Sequence, residues 1–261
     1  MNTATEGRVV VITGGGAGIG RASALGFAAA GARVLVAGRT AGKLDAVVAE
    51  IEAAGGTAAA VAADCATEEG AEAVIAGAES RFGPVDVLVN NAGVGWSFEA
   101  TLPGSMAALA DADHAGWREV MRINLDSAYF MCHRVLPSMI ERGSGAIVNV
   151  SSAGGTRGMN DAHAYAASKA AMINLTQSMA RAYGPAGIRA NCLAPGFVAT
   201  DMVAGVLESD ANPFADDATR FMACPLGRPG EPEEMAEAVR FLADNTYANG
   251  TLLVLDGGAT C

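Results

Sequence analysis

Arg8-Val-Val-Val-Ile-Thr13-Gly14-Gly-Gly-Ala-Gly18-Ile-Gly20 is a short β-branched run that passes directly into a glycine turn. Such a run marks a strand buried on both faces of a parallel sheet. An Ala-rich helical stretch, Arg21 to Ala30, follows it. Strand, glycine turn and helix in that order aim unpaired backbone N–H groups and the positive end of a helix at a phosphate. The glycines join a strand to a helix and not two polar spacers, which sets a flexible linker aside. Their spacing is Thr-Gly-x-x-x-Gly-x-Gly, and the commoner Gly-x-Gly-x-x-Gly pattern does not fit the loop. Nearby Gly42-Lys43 is followed by Leu44, where the phosphate loop of nucleoside triphosphatases needs Ser or Thr.

Outward from this turn, the pattern predicts strands at 33–37, 57–62, 85–89, 146–150, 188–193 and 251–255. Helices are expected at 40–54, 67–82, 162–183 and 232–242, and a longer one from about 114 to 141 interrupted at Pro137. This alternation predicts an α/β fold, a doubly wound parallel sheet with helices on both faces. No linker, repeat or low-complexity boundary divides the chain, so 1–261 reads as one domain. Residues 201–225 are weakly patterned and carry Met and acidic residues, as a mobile lid at about 198–225 would.

The end of the second strand faces the adenosine ribose in dinucleotide folds, where an acid selects a free 2′-hydroxyl and an Arg accepts a 2′-phosphate. Gly38 fills the acid's slot and Arg39 follows, which favours NADP(H), with NAD(H) as the alternative. Asp64, at a strand end, can accept from an adenine amino group or cap the next helix. Asn124, amid Met121, Ile123, Leu125 and Tyr129, reads as a satisfied interior amide or a helix kink.

The charged fraction is low at 17%, the hydrophobic fraction is 51%, and the net charge is −11. That balance argues against disorder and lacks the basic footprint that a phosphate backbone requires, so nucleic acid is not an expected partner. No signal peptide and no membrane-spanning run is seen, and the five cysteines are scattered without metal-ligand spacing. A cytoplasmic chain without a metal site is the expectation.

Tyr165-Ala-Ala-Ser-Lys169 places a phenol and an ammonium four residues apart, on one face of a helix. A lysine charge ~4 Å away is worth about 4 kcal/mol at an effective dielectric near 20, roughly three pKa units, and would draw the phenol towards neutrality. With Thr13-Gly14-x-x-x-Gly18-Ile19-Gly20, Asn90-Asn91-Ala92-Gly93, Asn124, Ser152 and Pro195-Gly196-x-x-x-Thr200, this pair resembles the short-chain dehydrogenases/reductases in motif order over nearly the whole chain.

The resemblance implies a Rossmann-like sheet of about seven parallel strands. It also implies a homo-oligomer, most often a tetramer, for which Met172, Leu175 and Met179 would supply a second apolar helix face. The implied reaction is hydride transfer between a nicotinamide and a carbonyl or secondary alcohol. Tyr165 would act as general acid/base, Ser152 would hydrogen-bond the same oxygen, and Lys169 would lower the phenol pKa and hold the ribose hydroxyls. Asn124 would fix a water leading to Lys169. Gly14, Gly18, Ile19 and Gly20 would hold the pyrophosphate, and Asn91 and Gly93 the ribose side. Thr200, with Pro195 and Gly196, would hold the carboxamide. A mostly apolar pocket is expected from Trp96, Met159, His163, Phe197, Met202 and Phe214, suiting a cyclic or aliphatic ketone or alcohol. The alternatives are a 3-oxoacyl-[acyl-carrier-protein] reductase and, in another class, a non-catalytic cofactor-binding protein. A sugar-nucleotide epimerase is disfavoured by glycine spacing and length.

Overall fold

The computed structural model describes residues 5–208, 212–215 and 224–261. Its first half runs β1 (Val9–Thr13), α1 (Gly18–Ala29), β2 (Arg33–Gly38), α2 (Ala41–Ala53), β3 (Thr57–Ala62), α3 (Glu68–Phe82) and β4 (Val87–Asn90). Then come α4 (His114–Met121), α5 (Ser127–Arg142), β5 (Gly145–Val150), α6 (His163–Tyr183) and β6 (Ile188–Pro195). A single turn of helix α7 (Ala204–Leu207), helix α8 (Pro232–Asp244) and β7 (Leu252–Leu255) follow.

β1 is buried along its whole length. Val10 and Ile12 enter one apolar cluster, while Val9 and Val11 enter another on the opposite face. Side chains of a strand covered on both faces divide in this way because their period is two. β2 repeats the division, with Val34 and Val36 on one side and Leu35 and Ala37 on the other. The first face is covered by α1, α2 and α8 through Phe27, Leu44, Val47 and Val239. α3, α5 and α6 cover the second through Val74, Ile75, Met131, Val135 and Met179. Each fully buried aliphatic contributes about 1.5–3 kcal/mol, whereas an exposed ion pair contributes about 1 at most, so these two layers hold the fold.

The described residues form one seven-stranded sheet in the order β3-β2-β1-β4-β5-β6-β7, every pairing parallel. Strand order reverses between β1 and β4, which opens a crevice beyond their carboxyl ends. Thr13-Gly14 and Asn90-Asn91 stand at that opening. Among the described residues no helix is long and apolar enough to cross a membrane.

The sequence pattern misplaces two boundaries. β4 begins at Val87 and not at 85, because the Asp86 carboxylate takes the N–H of Val9 at 2.8 Å and occupies the place of a ladder bond. The long helix is not interrupted at Pro137, which lies inside α5. Pro137 and His133, whose carbonyl the proline leaves without an N–H, are both solvent-facing, so water replaces the missing bond. The irregularity falls instead at Arg122–Asp126, a π turn between α4 and α5 with Asn124 inside it.

A buried polar chain ties the sheet to α6. Asn90 Nδ2 donates to Asn149 Oδ1 at 2.8 Å, Asn149 Nδ2 to Thr176 Oγ1 at 2.8 Å, and Thr176 Oγ1 to Met172 O at 2.7 Å. Thr176→Val keeps the shape but strands the Asn149 amide without an acceptor. It should lower stability by about 1–3 kcal/mol with an unchanged urea m-value. A wild-type midpoint in that titration would show that the chain contributes nothing.

Candidate active site

α1 starts at Gly18 with no side-chain cap and no acidic residue in its first turn, so its leading N–H groups and positive end stay open. The glycines before it are required by packing as well as by any phosphate. Gly14 has φ +64°, and a Cβ on Gly20 would lie 2.2 Å from Gly14 O. The turn is pinned from β4: Asn91 Nδ2 donates to Thr13 O at 3.1 Å and Gly14 O at 3.2 Å. Thr13 Oγ1 accepts from the N–H groups of Asn91 and Ala92 at 3.1 and 3.0 Å. Thr13 therefore stitches the two strand ends together, a role its place in the motif does not announce. Gly18 faces Thr200, whose Cγ2 is 3.0 Å from where a Cβ would sit.

Beyond the turn lies a hollow of about 300 Å³ lined by Gly14, Arg39, Lys43, Asp64 and Gly93, among others. Lys43 is a second cation beside Arg39, missed because it comes from α2 and not from the glycine loop; its Nζ lies 3.4 Å from Asp201 Oδ2. Asp64 lines this hollow but does not cap the next helix. Its Oδ2 is engaged by Arg122 at 2.9 Å and its Oδ1 by the Ala66 N–H at 3.0 Å, and Thr67 caps α3. Burial pushes the Asp64 carboxyl up, but the Ala66 hydrogen bond and Arg122 together outweigh it and hold the pKa below the ordinary value.

The second part of the site is a cavity of about 270 Å³ that Ser152, Tyr165 and Lys169 line together. Ile19, Asn91, Gly93, Pro195, Gly196 and Thr200 reach the same space. Ser151 and Ser152 divide the work at the end of β5. The Ser151 hydroxyl donates to Lys169 O at 2.7 Å, while the Ser152 hydroxyl accepts from the Gly154 N–H at 3.0 Å and shares the cavity with the Tyr165 phenol. α6 begins from Ala162 in the left-handed region, φ 50°, fully buried and with its N–H on Met106 O at 2.8 Å. Behind the ring, Val94, Met106, Val120 and Ile123 form a small apolar cluster.

Lys169 is buried, and Nζ donates to Val150 O at 3.0 Å. It lies 5.8 Å from the centre of the Tyr165 ring. The expectation that this cation lowers the phenol pKa is not met in the chain alone. Burial pushes Tyr165 up and only the Ser152 hydrogen bond draws it back. Burial also pulls Lys169 down from 10.5 to about 8. Asn124 is committed by its side chain: Oδ1 accepts from Val94 N at 2.7 Å, and Nδ2 donates to Val94 O and Ser168 Oγ at 3.1 and 3.2 Å. Both earlier readings of Asn124 hold at once, a satisfied amide within a distorted helix.

Of the expected pocket residues, Trp96, Met159, Phe197 and Met202 line the cavity. Trp96 lies 5.3 Å from the Tyr165 ring and 6.3 Å from Phe197. Phe214 packs edge-on against Phe197 at 5.8 Å. His163 is a correction: it does not line the cavity. Its Nδ1 accepts from Leu109 N at 2.9 Å and its Nε2 meets Met159 O at 3.1 Å, so both ring nitrogens hold the backbone. Residues 209–211 and 216–223 of the expected lid, Met222 with them, lie outside the described residues. The sequence reading missed Arg157, Asp256 and Ala259, which also line the cavity. No motif signals them, since the C-terminal turn is brought there by the pairing of β6 with β7.

The lysine pKa has a measurable consequence. Between about 8 and 10.5 the unfolded chain holds a proton that the folded chain has released, so this residue's contribution to stability rises with pH. In ligand-free protein, wild type should gain about 1 kcal/mol relative to Lys169→Met between pH ~7 and ~9, read from urea midpoints. A constant difference would mean that Lys169 titrates as a solvated lysine.

Known proteins share this arrangement. The family described as short chain dehydrogenase matches residues 8–211. Cis-4-hydroxycyclohexanecarboxylate dehydrogenase of Sinomonas cyclohexanicum is 39% identical over 100% of this chain and 99% of its own. Galactitol 2-dehydrogenase (L-tagatose-forming) of Cereibacter sphaeroides is 38% identical over 98% of this chain and 96% of its own. A solved 3-oxoacyl (acyl-carrier-protein) reductase from Agrobacterium tumefaciens C58 with NADP bound superposes with a TM-score of 0.86 at 35% identity, covering 97% of this chain and 94% of that one. By its family match and by relatives aligned almost end to end, this chain belongs to the short-chain dehydrogenase family.

Proposed function

We propose that this chain interconverts a ketone and a secondary alcohol of a small, largely apolar molecule with NADP(H), Tyr165 exchanging the proton. Members of the family are oxidoreductases that use NAD(P) cofactors. The observation that carries the assignment of roles is the Tyr165 phenol, beside Ser152 at an apolar-walled cavity and one helical turn from a buried amine.

The residues fit a dinucleotide on their own chemistry. The open end of α1 suits a pyrophosphate. Lys169 has three N–H groups and one protein acceptor among the described residues, Val150 O, which leaves donors for a ribose diol. When bound, NADP(H) supplies the hydride chemistry. In the reductive direction Tyr165 gives its proton to the substrate oxygen while Ser152 donates a second hydrogen bond to that oxygen. The raised phenol pKa keeps Tyr165 protonated at neutral pH, the form that reduction needs. Trp96, Phe197 and Met202 exclude water around the reacting carbonyl.

Arg39, with Lys43 beside it and Gly38 in place of an acid, supports a 2′-phosphate and therefore NADP(H). The apolar walls support a cyclic or aliphatic skeleton. The carrier-protein alternative draws on the reductase with NADP bound, against which stands the net charge of −11, a poor match for an acidic carrier. The family reading also carries a homo-oligomer, in which 1–261 is one catalytic domain, and a cytoplasmic location. Met172 and Met179 do not serve that assembly, for both are buried in the chain's own core. Tyr129 and Ile140, exposed on α5, are the better candidates.

Tyr165→Phe should retain cofactor binding and lose turnover at least about a hundredfold on a panel of ketones and alcohols. Full activity in that variant would remove the proton-exchange role. Arg39→Ala should reduce kcat/KM for NADPH roughly tenfold or more while altering that for NADH much less. A wild-type preference for NADH would overturn the cofactor assignment. Turnover confined to an acyl thioester within the panel would transfer the chain to the carrier-protein reading.

A further inference from the structure

Four charged side chains line the cavity beside the catalytic candidates: Arg157, Arg228, Glu234 and Asp256. Lys169 aside, three of these are already satisfied. Arg228 is forked onto Glu234 through Nη1 and Nη2 at 2.9 and 2.7 Å. Asp256 is turned into the C-terminal turn, Oδ1 accepting from Gly258 N at 2.9 Å and Oδ2 from Thr260 Oγ1 at 2.6 Å. Arg157 differs. Its one hydrogen bond among the described residues runs from Nη1 to Ala259 O at 2.9 Å, and no carboxylate among those residues pairs with it.

A guanidinium has five N–H groups in a planar fork. Tethering Nη1 to a backbone carbonyl fixes the plane and leaves the Nε–Nη2 edge, whose two parallel N–H groups match the two oxygens of a carboxylate. Apolar side chains, Met159, Trp96 and Phe197, line the same cavity as this arginine and the phenol. Arg157 is solvent-exposed, so water reaches this edge and no carboxylate among the described residues competes for it, and in a chain of net charge −11 the cation is a local exception to the field.

We infer that Arg157 receives a carboxylate of the substrate, so that the enzyme acts on keto acids and hydroxy acids whose acid group sits at the rim while the carbonyl faces Tyr165. The inference rests on the oxidoreductase reading above and adds the substrate class to it. Arg157 is then a specificity residue. It takes no part in hydride or proton transfer.

Calorimetric titration of the full-length protein saturated with NADP⁺ tests the site without turnover, using cyclohexanecarboxylate and cyclohexanecarboxamide as probes. Wild type should bind the acid at least about tenfold more tightly than the amide. Arg157→Gln, which can still donate to Ala259 O, should bring that ratio close to one, and Arg157→Lys should restore part of it. A wild-type ratio near one, or a ratio that Arg157→Gln leaves unchanged, overturns the inference. Kinetics with 4-oxocyclohexanecarboxylate and its methyl ester separate this from the parent reading. Both compounds inert while the acid still binds selectively would sink ketone reduction and keep the anion site. Equal kcat/KM for acid and ester would sink the anion site and keep the reductase.

Discussion

Burial of one amine governs this site. Lys169 lies under the end of β5, with Val150 O at 3.0 Å as its acceptor and an ordinary pKa pulled down by desolvation. A buried cation with donors to spare is costly unless something completes its shell. Everything around it is arranged to keep it in place: Ser151 holds the carbonyl of the same residue at 2.7 Å, and Thr176 anchors the next turns of α6 through Asn149. On the proposed reading, the donors left over on this nitrogen would serve a ribose diol.

The architecture was legible because it rests on patterns that survive without context. β-branched runs bounded by glycine favour strands covered on both faces, and the parity of Val9 to Ile12 follows from that. The ends of elements were less legible where a side chain replaced a backbone bond, as Asp86 does at β4, or where solvent forgave a broken one, as at Pro137. Neither event leaves a periodic trace.

Within the site, short-range spacing found the Tyr165/Lys169 pair and the glycine turn, whose geometry is set over a few residues, and the family resemblance supplied Ser152. Long-range convergence was opaque. Arg157 meets Ala259 across a separation of 102 residues, and Asp64 meets Arg122 across 58. Lys43 reaches the hollow beside Arg39 only because α2 folds back over the turn. For Tyr165, a spacing of four gives proximity on a helix, but not the direction in which a long side chain spends its charge: Lys169 Nζ turns to Val150 O.

The π turn at Arg122–Asp126 carries a further meaning. A π turn is an α-helix holding one residue too many, tolerated because the surplus backbone is put to use. Here the surplus lets Asn124 clasp both polar groups of Val94 at 2.7 and 3.1 Å. Excising a single position would heal the helix and leave α5 in register, because the π turn absorbs the surplus residue. Met131, Val135 and Met139 would keep covering the sheet, so what the surplus residue adds is the clasp on Val94.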